Sequence, residues 1–277
     1  MQTIFDLRKV SYAYPGKFDA LRDVSLTVGA NEQVAIMGAN GSGKSTLLSI
    51  LDGLIFPTAG EYYAFGNLVT EEAFDTLEGN EMSRYFRRKV GFVFQNPDVQ
   101  LFCSTVFDEV AFGPLQLDLP KEEVKRRAED VMAMVGVTHL RDRAPHTLSG
   151  GEKKKVCIAS VLSINPDILL MDEPTGGLDP RSQLWLIELL QELSKAGKTI
   201  ITATHDLDII EQISERAIVF GEDHTIKVDD SSKKIMSDLE VLLANNLIHR
   251  HMHRHGDLVH QHLHSHDTEH HHEHDGH

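Results

Sequence analysis

Cysteine is nearly missing from this 277-residue sequence: Cys103 and Cys157 are the only two, and neither has metal-ligand spacing. That excludes a disulfide framework and a cysteine-based zinc site, fits a reducing compartment, and leaves both residues as small core fillers. Basic charge is short as well, with 27 Lys and Arg against 42 Asp and Glu for a net −15. The segment from residue 249 onward holds 2 of the basic and 5 of the acidic residues, so the body alone carries −12. A general nucleic-acid binder needs a basic footprint and is excluded. No stretch approaches the ~20 apolar residues of a membrane-spanning helix. The start, Met1-Gln2-Thr3-Ile4-Phe5-Asp6, lacks the basic-then-apolar order of a secretion signal, so the chain is expected to stay in the cytosol. Nor is there an internal period of the kind that marks a repeat architecture.

What is present, 41% hydrophobic and 25% charged residues, describes an ordinary globular chain long enough for one large core or two lobes. Apolar runs predict strands at Phe5–Val10, Val24–Val28 and Gln33–Met37, and the last runs through a glycine-rich turn into a helix from Lys44. Buried-type strands are expected at Val90–Phe94, Ile168–Met171, Thr199–Thr204 and Ala217–Phe220. Helical patterns lie between them at Lys121–Val135, Gly150–Ser163 and Pro180–Ala196, which makes the core α/β. Thr70–Ser83 reads as a loop or a loose helix. The body is expected to span residues 1–248. Residues 249–277 hold 13 of the 17 histidines among Asp, Glu and Arg, with almost no apolar content, and are expected to be disordered.

Gly38-Ala39-Asn40-Gly41-Ser42-Gly43-Lys44-Ser45-Thr46 matches a phosphate-binding loop and sits in the required place between strand and helix. Glycine lets successive N–H groups of Asn40, Gly41, Ser42, Gly43, Lys44, Ser45 and Thr46 turn toward phosphate, with the helix start adding positive potential. Lys44 would reach the β- and γ-phosphates of ATP, and the Ser45 hydroxyl would ligate Mg²⁺. Strand Ile168–Met171 ends in Asp172 and Glu173, at the edge where parallel sheets bind nucleotides. Asp172 then belongs to the Mg²⁺ shell, and Glu173 takes a proton from the attacking water or orients it. Alone, such an acidic pair is a solvated turn or a helix cap; its weight comes from standing beside the loop.

Leu148-Ser149-Gly150-Gly151-Glu152 resembles the signature of ABC ATPases, whose usual last residue is Gln. In that family two nucleotide domains pack head to tail. The resemblance implies that Ser149, Gly150 and Gly151 of one subunit clamp the γ-phosphate held by the other, an anion at a helix start. Further positions fall in family order. Tyr14 resembles the aromatic that stacks on adenine, with Tyr12 as competitor. Gln95 resembles the Q-loop glutamine, which also reaches Mg²⁺. Asp179 resembles the D-loop aspartate, and His205 the switch histidine at the γ-phosphate. The resemblance covers about residues 1 to 248. It implies a P-loop NTPase fold with an antiparallel β subdomain, a RecA-like core and a helical signature subdomain.

Phe94-Gln95-Asn96-Pro97-Asp98-Val99-Gln100-Leu101-Phe102, followed by Asp108-Glu109-Val110-Ala111-Phe112-Gly113-Pro114, is similar to the energy-coupling-factor importers' ATPases. The histidine-rich segment resembles those on members importing nickel or cobalt. Its candidate ligands are His249, His251, His253, His255, His260, His262, His264, His266, His270, His271, His272, His274 and His277 for Ni²⁺, Co²⁺ or Zn²⁺. Irregular spacing, interleaved carboxylates and no run of six histidines separate it from a purification tag. The resemblance implies a homodimer through its ATP sites, peripheral on the cytoplasmic membrane face, with a transmembrane coupling subunit and a substrate-binding membrane subunit as partners. The alternatives are a vitamin-importing system of the same type, a nontransport ABC ATPase, or a metal store with nucleotide as regulator. Nontransport relatives in DNA repair insert coiled coils or zinc modules between the motifs. Lys44 and Asp172, 128 positions apart, enclose neither.

Overall fold

The computed structural model describes residues 2–16, 18–74, 81–255 and 258–265, from 249 onward by backbone. The chain opens with β1 (Thr3–Ala13), β2 (Asp19–Gly29), β3 (Gln33–Gly38) and α1 (Lys44–Leu51). Next come β4 (Ala59–Ala64), β5 (Asn67–Leu68), α2 (Glu71–Phe74), α3 (Glu81–Lys89) and β6 (Val90–Val93). Three helices follow, α4 (Val106–Gln116), α5 (Lys121–Met134) and α6 (Gly150–Leu162). The order then alternates: β7 (Ile168–Asp172), α7 (Pro180–Lys195), β8 (Thr199–Ala203), α8 (Ile210–Ile213) and β9 (Arg216–Phe220). Last are β10 (Ile226–Ser231), α9 (Ser232–Ser237), α10 (Leu239–Ala244), β11 (Ile248–His255) and β12 (Leu258–Ser265).

Two sheets carry the body. One is antiparallel, ordered β2-β1-β4-β5; the other runs β10-β9-β3-β8-β7-β6, parallel except at the β10 edge. Strands of the central sheet are buried on both faces, which is why they read as unbroken apolar runs. Their period-2 alternation still decides which core each residue joins. Ile168 and Leu170 of β7 pack with α1 and the antiparallel sheet, whereas Leu169 and Met171 pack with α4–α7. The amphipathic α5 buries Val124, Ala128 and Met132, at four-residue spacing, in that second core. A smaller core gathers Ala35, Met37, Ala217 and Val219 under α8–α10.

This architecture agrees with the α/β P-loop fold expected from the motifs. Thr70–Ser83 contains α2 and the start of α3, and residues 75–80 between them lie outside the described residues. Part of the segment expected to be disordered has backbone order: β11 and β12 pair as an antiparallel hairpin. Residues 266–277 lie outside the described residues. Among the described residues no helix is long and apolar enough to cross a membrane.

Candidate functional site

β3 sits between β8 and β9, so its C-terminal end opens at the middle of the sheet. The loop that leaves it is held by steric necessity at Gly43, which has φ 111°; a Cβ there would meet the Ala20 carbonyl oxygen at 2.3 Å. Lys44, almost fully buried at the start of α1, donates from Nζ to the carbonyls of Gly38 (2.8 Å) and Ala39 (3.2 Å). Burial lowers its pKa, and the nearby carboxylates of Glu173 and Asp172 work against that.

Those carboxylates arrive from β7, two strands away. Burial raises the Asp172 pKa, a hydrogen bond from the Ser45 hydroxyl lowers it, and Glu173 raises it further. Asp172 Oδ1 is buried and has no hydrogen-bond partner among the described residues. A buried carboxylate oxygen left over beside a serine hydroxyl is a hard-oxygen donor set, and it fits Mg²⁺. Glu173 is non-glycine at φ 43°, a strained backbone held by its N–H donating to the Ala203 carbonyl at 2.8 Å. That conformation sets its buried carboxylate 3.9 Å from Lys44 Nζ and 2.8 Å from His205 Nδ1. The His205 backbone N–H also donates to Glu173 Oε2 at 3.3 Å.

Lys44, Ser45 and Glu173 border a cleft of about 670 Å³ that Tyr14, Asn40, Gly41, Gly43, Thr46 and Gln95 also line, whereas Asp172 and His205 are not in its lining. Tyr14, not Tyr12, reaches it: its hydroxyl lies 3.3 Å from Thr46 Oγ1, and Tyr12 packs edge-on behind, ring centroids 5.0 Å apart. Ser42 is buried behind the loop. Phe18, Asp19, Ala20 and His224 also line the cleft and carried no motif in the sequence. Phe18 is a strongly exposed aromatic in the structure, and nothing in the sequence marks it. His224 sits at φ 66° with Nδ1 3.4 Å from the Ser42 carbonyl, and nothing in the sequence points to it.

The signature residues are elsewhere. Ser149 caps α6, its N–H and hydroxyl both donating to Glu152 Oε2 at 2.8 and 2.9 Å, a closed capping box. Glu152 therefore does locally what a glutamine would do less strongly, since a carboxylate accepts both bonds with charge assistance. Ser149 and Gly150 are exposed and absent from the cleft lining, as is Asp179, which caps α7 through Ser182.

Two buried charges join these regions. Lys154, on the inner side of α6, donates to the carbonyls of Gln95 (2.8 Å) and Phe94 (3.2 Å). Glu109 of α4 accepts the N–H groups of Phe102 (2.9 Å) and Cys103 (2.7 Å). The loop after β6 is thus clamped at both ends by side chains from the helical lobe. Lys154→Met keeps the length and removes the donor, leaving two carbonyls unpaired. Turnover is expected to fall about 10- to 100-fold, the cost of a displacement near 1 Å at Gln95, while nucleotide affinity changes only a few-fold. Steady-state ATPase kinetics with a nucleotide titration measures both, and an unchanged kcat would show that this clamp positions nothing.

Among the residues whose side chains are described, no three of His, Cys, Asp and Glu gather as a metal cluster. His249, His251, His253, His255, His260, His262 and His264 are placed by backbone alone, and the remaining tail candidates lie outside the described residues.

A profile of the ABC transporter family matches residues 21–176. A putative ABC transporter ATP-binding protein of Methanosarcina acetivorans is 65% identical over 274 residues, 99% of both chains. The nickel import ATP-binding protein NikO of Rhodobacter capsulatus is 50% identical over 222 residues, covering 79% of this chain and 86% of that protein. The solved structure of cbiO1 from Clostridium perfringens, part of the ABC transporter complex cbiONQ, superposes with TM-score 0.74 at 34% identity. That match covers 87% of this chain and 94% of the other.

Proposed function

Because the chain belongs to the ABC transporter family, we propose that it is the ATP-hydrolysing subunit of an energy-coupling-factor importer whose cargo is nickel or cobalt. The observation that carries the hydrolytic part is the meeting of Lys44, Ser45, Asp172 and Glu173 at the ends of β3 and β7. Half-identity with a nickel import protein over most of both chains supports the cargo, and the histidine-rich segment agrees with it.

In this reading adenine stacks on Tyr14 and the loop amides of Asn40 to Thr46 cradle the phosphates, with Lys44 placing its charge between them. Ser45, Asp172 and Gln95 would hold Mg²⁺, which when bound neutralises charge developing on the phosphates. Glu173 accepts the proton of the attacking water or orients it, and His205, hydrogen-bonding range away, keeps that carboxylate aimed. Ser149, Gly150, Gly151 and Asp179 act on the site of a second copy. Closure of that homodimer on ATP and reopening after hydrolysis drive membrane subunits at the cytoplasmic face.

Uptake measurements test the cargo. Cells deprived of this chain should lose Ni²⁺ or Co²⁺ accumulation and regain it with the wild-type chain but not with Lys44→Ala. Loss of vitamin uptake with metal uptake intact would favour the vitamin-importing alternative. The histidine-rich segment, read as binding Ni²⁺, Co²⁺ or Zn²⁺, is separate from the motor. A chain ended after Ile248 should therefore hydrolyse ATP at the full-length rate and lose metal binding in a calorimetric titration. Metal binding that survives the truncation would place the site in the body.

A further inference from the structure

The segment after the folded body is the part of the chain that ATP chemistry does not use, and its backbone holds an order that composition hides. β11 and β12 pair with His249 opposite His264, His251 opposite His262, and His253 opposite His260. Directly opposed residues of an antiparallel pair share a face, as do residues two apart along one strand. The three pairs therefore form a ladder on one face of the ribbon. The opposite face takes Arg250, Met252, Arg254, Val259 and Leu263, among others, and no histidine. Arg250 and Arg254 are thus placed on the face opposite the ladder.

We propose that this histidine ladder is a binding face for a late first-row divalent cation, built by cross-strand pairing and not by histidine content alone. The proposal rests on the reading of this segment as metal-binding. Opposed positions in such a ribbon have Cβ atoms ~4.5–5.5 Å apart. Metal-to-imidazole bonds are short, ~2.0–2.1 Å, so a cation-binding face needs histidine positions held this close together. The next opposed pair lies two residues on, ~6.7 Å along the strands, so the pairing gathers six histidine positions on one short face. Imidazole nitrogen selects the class of late divalent ions and ranks them in the common order, so the ladder recognises Ni²⁺, Co²⁺ and Zn²⁺ without choosing one. Register is what makes it a site: moving one strand's histidines by a single position would put them on the other face and separate every pair.

That sensitivity gives the test, made on the full-length chain with NiCl₂ in calorimetric titration at one fixed pH. In the first variant the residues of β12 are exchanged with their neighbours: Val259→His with His260→Val, Gln261→His with His262→Gln, and Leu263→His with His264→Leu. Composition is unchanged and the pairs are broken. A second variant replaces His249, His251 and His253 by Asn, guarding against a slipped hairpin that re-forms pairs in the first. A third replaces the histidines from His266 to His277 by Asn and leaves the ladder whole. The ATPase rate of each variant reports that the body is intact.

The first two variants should lose the tightest class of Ni²⁺ binding by about tenfold or more, because two groups linked at matched spacing gain ~10²–10⁴ in affinity. The third should keep that class. Wild-type affinity in both of the first two variants would overturn the ladder and leave an unstructured metal-binding segment standing. Loss of the tight class in the third variant alone would overturn it too, by placing the ligands beyond Ser265. A wild-type chain that binds no Ni²⁺ would sink both the ladder and the reading beneath it.

Discussion

Glu173→Gln is expected to bind ATP at least as tightly as the wild-type chain, hydrolyse it ~10²–10⁴-fold more slowly, and accumulate as an ATP-bound dimer. The substitution keeps the side chain's shape, so the strained turn at φ 43° and the bond from its N–H to Ala203 should persist. It removes the one property water activation needs, a basic oxygen. Glu173 Oε1 is placed for that task by two neighbours, 2.8 Å from His205 Nδ1 and 3.9 Å from Lys44 Nζ, in a buried setting where each contact is worth more than in water. Binding should survive because, in the proposed reading, the loop amides and Lys44 hold the phosphates, and the change does not touch them. It should even tighten, since removing a buried negative charge near the γ-phosphate relieves repulsion in the closed state. Single-turnover hydrolysis and gel filtration with and without ATP read the two effects. Wild-type turnover would remove Glu173 from the chemistry, and loss of ATP binding without a dimer would show that it holds the loop together instead.

Most of the central sheet was legible because a strand buried on both faces is an apolar run and little else: β3, β6, β7, β8 and β9 fall where those runs lie. What escaped has specific causes. α4 carries Gly113 and Pro114 near its end and polar residues at its start, so its helical period is broken over just the length needed to see it; Thr105 caps it. β10 alternates, but its exposed side carries Lys227, Asp229 and Ser231 and its last three residues are all polar, which resembles a loop. The β11–β12 hairpin hid for a related reason: its period of two lies in histidine and not in apolar residues, so a test for hydrophobic alternation passes over it.

Site residues divided in the same way. The loop Gly38–Thr46 and the pair Asp172–Glu173 are short, contiguous and set at strand ends, so sequence alone could propose them. Lys154 and Glu109 were invisible as clamps, because a charge inside a helical run is read as surface. Yet Glu109 follows Val106 by three positions and precedes Val110 and Gly113 by one and four, which puts it on the inward stripe of α4. A charge on an apolar stripe was the available signal. Phe18 and His224 reach the cleft only because β1–β2 and β9–β10 turn over it, a long-range fact that no local pattern contains.

Mixing Lys44→Ala chains with Ser149→Ala chains should restore activity that neither has alone. Within one chain the signature stands apart from the cleft: Ser149 and Gly150 are exposed at the start of α6, and Ser149's own bonds close on Glu152. A solvent-exposed helix start that stands outside the cleft of its own chain fits a site completed by a second copy. In an isologous dimer the two composite sites are equivalent. A mixed dimer then unites the intact Lys44 of one chain with the intact Ser149 of the other at one site and both defects at the second. Random pairing of equal amounts should return about a quarter of the wild-type rate, half the dimers being mixed with one good site of two. Either mutant alone should stay near background, because Lys44→Ala removes the buried ammonium at the phosphates and Ser149→Ala removes both the hydroxyl and the cap that orients α6. The rates are measured on mixtures in which differently tagged chains are shown to co-purify. Co-purification without recovered hydrolysis would mean that each chain completes its own site, and Ser149 would revert to a helix cap.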